Sequence, residues 1–166
     1  MDALANRDSL TGIRNKTAYD KELKRLEWQI SGGKTNFGIA MIDLNFLKRI
    51  NDTFGHEQGN IAIKTLCRIV CQVFKHSPVF RIGGDEFVVI LEQEDYRNIE
   101  NLCLTFNVQI AGISNNDDLE PWERVSAALG YAIYDKTIDS SVQNVFSRAD
   151  KAMYARKKEM KAVREG

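Results

Sequence analysis

The chain has 166 residues, 43% hydrophobic and 28% charged, the balance of one packed globular domain, which excludes wholesale disorder. Lys and Arg together number 23, as do Asp and Glu, so no net field draws the chain to nucleic acid or to an anionic membrane surface. No apolar run approaches the roughly 20 residues of a bilayer span, and the N-terminus lacks a basic segment followed by an apolar one, so a cytoplasmic domain without direct membrane contact is expected.

Residues 8–12, Asp-Ser-Leu-Thr-Gly, read as a turn. Ala18, Tyr19, Leu23, Leu26 and Ile30 recur at helical spacing and predict an amphipathic helix over 16–30, broken by the Gly-containing stretch 31–36. Residues 37–44 are almost wholly apolar and predict a buried central strand with Asp43 at its end. A long polar loop is expected over 45–59, then a helix from about Asn60 whose buried face is Ala62, Thr65, Leu66, Ile69, Val70 and Val73. Cys67 and Cys71 lie one turn apart on this segment and read as buried structural thiols. Only Cys103, His56 and His76 could join them, and they are too scattered for the paired ligand spacing of a zinc site.

Two β-rich segments, 79–82 and 87–91, are separated only by Gly83, Gly84, Asp85 and Glu86, which predicts a tight hairpin with acids at its tip. A helix over 96–113, a loop over 115–121 and a strand over 125–134, interrupted by Gly130, follow. The last helix presents Val142, Val145, Phe146, Ala149, Ala152 and Met153 on one face, continued by period into Lys157 and Lys161. No internal repeat is visible. With too few strand–helix–strand crossovers for a doubly wound sheet, the expected class is α+β: helices covering a mostly antiparallel sheet, ferredoxin-like in outline.

The strongest chemical signal is Asp43 at a strand end together with Asp85 and Glu86 at the hairpin tip. Carboxylates brought together repel unless a cation neutralises them, and hard oxygen ligands suit Mg²⁺ holding substrate phosphates. That chemistry points to phosphoryl or nucleotidyl transfer. Gly83 and Gly84 would let the backbone approach a bulky ligand and permit positive φ. Taken alone, the same residues also describe an ordinary exposed hairpin with solvated acids. The segment after Asp43 offers backbone N–H groups that could hold phosphate and the amides of Asn51 and Asn60 that could read a base edge, and no Walker-type loop occurs.

Arg81-Ile-Gly-Gly-Asp-Glu-Phe87 resembles the signature of the GGDEF domains, the diguanylate cyclases. The blocks Asp8-Ser-Leu-Thr-Gly-Ile-Arg-Asn15, Asp43-Leu-Asn-Phe-Leu-Lys-Arg-Ile-Asn-Asp-Thr-Phe-Gly-His56 and Ala149-Asp-Lys-Ala-Met-Tyr154 resemble the family's other motifs in order and spacing, so the likeness spans about 8–161 of a single domain covering 1–166. The resemblance implies the palm-type sandwich of nucleotide cyclases. It also implies GTP as substrate, Mg²⁺ or Mn²⁺ as cofactor, and a second copy of the domain as catalytic partner. By the same resemblance Asp43 and Asp85 with the Leu44 carbonyl would hold metal, Glu86 would support the metal or the attacking hydroxyl, and Asp85 would be the general base. The backbone amides of Phe46, Leu47 and Lys48 would hold the terminal phosphates, Lys157 and Lys161 would neutralise the triphosphate, and Asn51, Asn60 and His56 would surround guanine.

The chain departs from that pattern at several positions. Asn60 stands where the family ordinarily has Asp. An amide offers guanine one acceptor and one donor instead of two acceptors, so weaker GTP binding or relaxed base choice is expected. Asn45 replaces a second strand-end Asp, with little expected effect, and Lys161 replaces an Arg. Phe74-Lys-His-Ser77 occupies the place of the Arg-x-x-Asp product-binding site, so no strong feedback inhibition is expected there. An alternative reading is a catalytically weak nucleotide-binding module. Relatives carry upstream sensory or receiver domains, so the chain is expected to be the C-terminal part of a longer signalling protein that could be membrane-anchored.

Overall fold

The computed structural model describes residues 3–33 and 35–165, so residue 34 of the expected 31–36 break lies outside the described residues, as do the ends of the 1–166 span. The first helix, α1 (Lys16–Ser31), starts where the Asn15 side chain accepts the Ala18 N–H at 3.1 Å. Then come β1 (Gly38–Leu44), α2 (Leu47–Phe54), α3 (His56–Val73), β2 (Val79–Arg81) and β3 (Glu86–Leu91). The chain ends with α4 (Gln93–Arg97), α5 (Ile99–Ser114), β4 (Ala127–Ile133) and α6 (Val142–Glu165).

The sheet has the order β2-β3-β1-β4 with every neighbouring pair antiparallel, the ferredoxin-like arrangement expected. Because side chains alternate along a strand, β1 serves two cores. Ala40, Ile42 and Leu44 face α3 and α5, packing with Leu66, Val70 and Phe106, while Ile39 and Met41 face α1 and α6, packing with Leu26, Val145 and Met153. A strand covered on both sides reads as continuous hydrophobicity, and all of β1 is buried. Cys67 is buried on α3 and Cys71 half-buried, both as free thiols.

Four sequence expectations change. The expected polar loop is largely α2, with α3 beginning at His56, four residues before Asn60. Leu47, Ile50 and Phe54 supply its i, i+3, i+7 stripe, and Gly55 at φ 100°, ψ 165° turns the chain between the two helices. Asp43 is the penultimate residue of β1, since Leu44 still pairs with Ala127. The expected helix over 96–113 is divided at Asn98. Gly130 does not interrupt β4: the strand runs through it because a Cβ there would stand 2.0 Å from the Met153 N on α6. Its glycine is a close-packing requirement.

Candidate active site

Strand register assembles the acidic corner. Asp43 on β1 pairs directly with Glu86 on β3, so their side chains share the sheet face covered by α6. One residue on, the Leu44 N–H donates to the Asp85 carbonyl at 2.9 Å. A residue in an antiparallel ladder directs its N–H and C=O to the same neighbour, so the Leu44 carbonyl also points to the strand edge where Asp85 stands. Asp43, Leu44, Asp85 and Glu86 therefore occupy one corner of the sheet, as expected.

Within this corner Asp43 is 8% exposed, and its Oδ1 is buried without a hydrogen-bond partner. Its Oδ2 accepts from Lys157 Nζ at 2.5 Å, across 114 residues of sequence. Burial above all, with repulsion from Asp85 and Glu86, outweighs the opposing Lys157 and raises the Asp43 carboxyl to about 6. An orphaned buried carboxylate oxygen beside two more carboxyls is a donor set that fits a hard divalent cation. Among the described residues no group of three or more His, Cys, Asp or Glu side chains is placed to hold a metal ion by itself. A divalent ion here would have to complete its shell with backbone carbonyl, water and substrate phosphate.

The segment behind the corner is a helix start. Phe46 takes left-handed φ of 65°, turning the chain from β1 straight into α2. The first N–H groups of a helix lack intrahelical acceptors, which leaves those of Leu47 and Lys48 oriented for anionic oxygens. Lys48 itself is exposed and paired with Asp52 at 3.0 Å. Asn45 is tied elsewhere: its N–H donates to the Ser126 carbonyl at 2.8 Å and its Nδ2 to Ser126 Oγ at 3.0 Å.

Asn51 and Asn60 flank the junction of α2 and α3. Asn51 is half-buried, while Asn60 and His56 are exposed on the first turns of α3. Gly59, which sequence reasoning passed over, leaves room for the Asn51 side chain: a Cβ there would lie 1.8 Å from Asn51 Oδ1. A glycine inside a helical pattern was the available signal.

The hairpin glycines serve space more than conformation. Among the described residues the glycines with positive φ are Gly12, Gly33 and Gly55, so Gly83 and Gly84 do not use the left-handed freedom expected of them. A Cβ on Gly83 would meet Glu86 Oε2 at 3.2 Å, whereas Gly84 faces open space. Arg81, absent from the expected site, braces the tip: it donates to the Gly84 carbonyl at 2.8 Å and to both Asp8 oxygens at 3.1 Å. Burial alone would raise the Asp8 carboxyl, but hydrogen bonds from Thr11 and Arg81 hold it below its ordinary value.

Lys157 and Lys161 do not act as a matched pair here. Lys157 is drawn to Asp43, while Lys161, one turn further, is exposed. At 74–77, Phe74 is fully buried and Ser77 Oγ donates to Asp95 at 2.7 Å, so the stretch closes α3 onto α4.

Comparisons with known proteins identify the family and the fold. The family described as diguanylate cyclase, GGDEF domain, matches residues 5–162. The chain is 30% identical over 158 residues to the probable diguanylate cyclase DgcE of Escherichia coli, covering 92% of this chain and 14% of that protein. It is 28% identical to the diguanylate cyclase DgcS of Shewanella oneidensis, covering 90% of this chain and 49% of that protein. It therefore spans half or less of these curated relatives. The coiled coil and GGDEF domain of DgcB from Caulobacter crescentus, solved with c-di-GMP, superposes with a TM-score of 0.80 at 26% identity, covering 95% of this chain and 83% of that one.

Proposed function

The chain belongs to the diguanylate cyclase family with the GGDEF domain, and from that premise we propose that its acidic corner condenses two GTP into cyclic di-GMP, each GTP held by one of two facing copies of the domain. The observation that carries this reading is the buried, partnerless Asp43 Oδ1 beside Glu86. Asp43, Asp85 and the Leu44 carbonyl would hold Mg²⁺ or Mn²⁺, which supplies charge neutralisation of the triphosphate and polarisation of the α-phosphate.

This chain's own residues position the substrate. The backbone amides from Phe46 to Lys48, at the start of α2, bind the β- and γ-phosphates, with Lys157 and Lys161 adding positive charge. Asp85 accepts the proton of the 3′-hydroxyl as its oxygen forms a bond to the partner's α-phosphorus, and pyrophosphate departs. The same step in the opposite sense closes the ring. Glu86, locked opposite Asp43, supports the corner, and Gly83 keeps the hairpin backbone close to it. Asn51 and Asn60, beside His56, hold the base.

The amide at Asn60 favours a second product class: it complements adenine's 6-amino donor and N1 acceptor, so ATP competes for the same site. The relatives' greater length supports an upstream sensory or receiver domain that brings two copies together. Among the described residues no helix is long and apolar enough to cross a membrane.

The test is incubation of the concentrated domain with Mg²⁺ and an equimolar mixture of GTP and ATP, with products separated by chromatography. Cyclic di-GMP is expected, with an initial rate rising more steeply than linearly with domain concentration. Asp85→Ala, checked for folding by circular dichroism, is expected to lose at least a hundredfold in rate, the scale of a missing general base. No cyclic dinucleotide from the parent, or undiminished product from the variant, refutes the assignment.

A further inference from the structure

Asp43 already has a cationic partner in the protein itself. Lys157 Nζ lies 2.5 Å from Asp43 Oδ2, with 30% of the lysine side chain and 12% of the aspartate side chain exposed. The neighbouring cations of α6 are directed elsewhere: Arg156 pairs with Glu159 at 3.3 Å, and Lys158 lies over the Tyr154 ring at 5.7 Å. Met153, buried one turn earlier, anchors the helix against the sheet. The Lys157 backbone is thus fixed, while its four-carbon stem leaves the ammonium free to swing.

Resting on the function proposed above, we infer that Lys157 is a built-in competitor of the divalent cation at Asp43, released when a triphosphate offers the ammonium a stronger anionic partner, so that cation and nucleotide enter the site cooperatively. Two cations on one buried carboxylate repel even if each takes its own oxygen, because little water screens them. A single ammonium cannot neutralise Asp43, Asp85 and Glu86, so the corner keeps its pull on a divalent ion. That pull is weakened for as long as Lys157 holds Oδ2. A triphosphate on the α2 amides would carry several negative charges within reach of the same side chain and reverse its preference. Linkage makes the effect mutual: nucleotide tightens cation binding and cation tightens nucleotide binding.

The experiment is a Mn²⁺ titration of the domain without nucleotide at one fixed pH of about 8, free ion being read by electron paramagnetic resonance. Lys157→Met is expected to bind Mn²⁺ about five- to tenfold tighter than the parent, the net worth of one hydrogen bond. Lys157→Arg, which keeps the charge, is expected to match the parent. Calorimetry with a non-cyclising GTP analogue should show the opposite sign, Lys157→Met binding it more weakly. Lys157→Gln gives the same readout should the Met variant not fold. Unchanged or weaker Mn²⁺ binding in the neutral variants, or tightening in Lys157→Arg as well, overturns the inference. Asp43→Asn separates the two levels of the argument: if it abolishes Mn²⁺ binding while Lys157→Met changes nothing, only the competition fails. If Asp43→Asn leaves Mn²⁺ binding intact, the corner is not the metal site and both readings fall.

Discussion

Gly59 shows how much a single missing side chain can decide. Its Cβ would stand 1.8 Å from Asn51 Oδ1 and 3.3 Å from Leu47 Cδ1, so the Asn51 amide, proposed above to hold the base, rests on helix backbone. The clashing atom is the far end of a side chain that can rotate away. Gly59→Ala should therefore leave the fold nearly as stable while displacing Asn51. The expected result is an unaltered far-ultraviolet spectrum, a thermal midpoint within a few degrees, and GTP-analogue affinity lowered about tenfold by calorimetry, the worth of one or two hydrogen bonds. At this scale the sequence was informative about chemistry and weak about support. Asp43, Asp85 and Glu86 were legible as acids at a strand end and a turn. The brace from Arg81 to Asp8, 73 residues apart, was not, because nothing local distinguishes an arginine that will cross to another turn from one that will face water.

Among the elements, α2 and β4 are the instructive ones. The polar residues between Asp43 and Gly55 suggested a loop, yet a two-turn helix forms with none of its residues fully buried. Such a helix shows only a thin apolar stripe, and its stability comes from docking on α3, a tertiary effect. In β4 the apparent break at Gly130 is where α6 lies directly on the strand. A Cβ there would meet the Met153 N at 2.0 Å, the Ala152 C at 2.5 Å and the Met153 Cα at 2.5 Å, all backbone atoms that cannot rotate aside. Gly130→Ala must lift α6, which also carries Lys157, so it should destabilise by about 3 kcal/mol, the upper range for overpacking. A urea titration showing a lower midpoint at unchanged slope would bear this out, and a midpoint equal to the parent's would contradict it.

For the molecule as a whole, the acidic corner sets part of the pH dependence of folding. The folded Asp43 carboxyl is raised from 3.8 to about 6, so it holds its proton more tightly folded than unfolded. Its stabilising contribution is therefore complete below about pH 3.8 and lost as the pH rises through about 6. Asp43→Asn carries no such titration. Thermal unfolding in the presence of a chelator should show the difference in midpoint between variant and parent moving in the variant's favour from about pH 4 to about pH 7. A difference that stays flat across that interval would mean the carboxylate is not held against a desolvation cost.

The amino-acid sequence by itself determined the alternation of helices and strands, the buried central strand, the acidic hairpin and the likeness to the cyclases, because periodicity, turn residues and motif order are local properties of the chain. Tertiary structure alone decided that Asp43 faces Glu86 and not the opposite core, that Lys157 reaches Asp43, that glycine is required at Gly130, and that Gly59 leaves room for the Asn51 side chain. Strand register and helix docking fix these, and both arise from side chains far apart in sequence competing for the same space and charge.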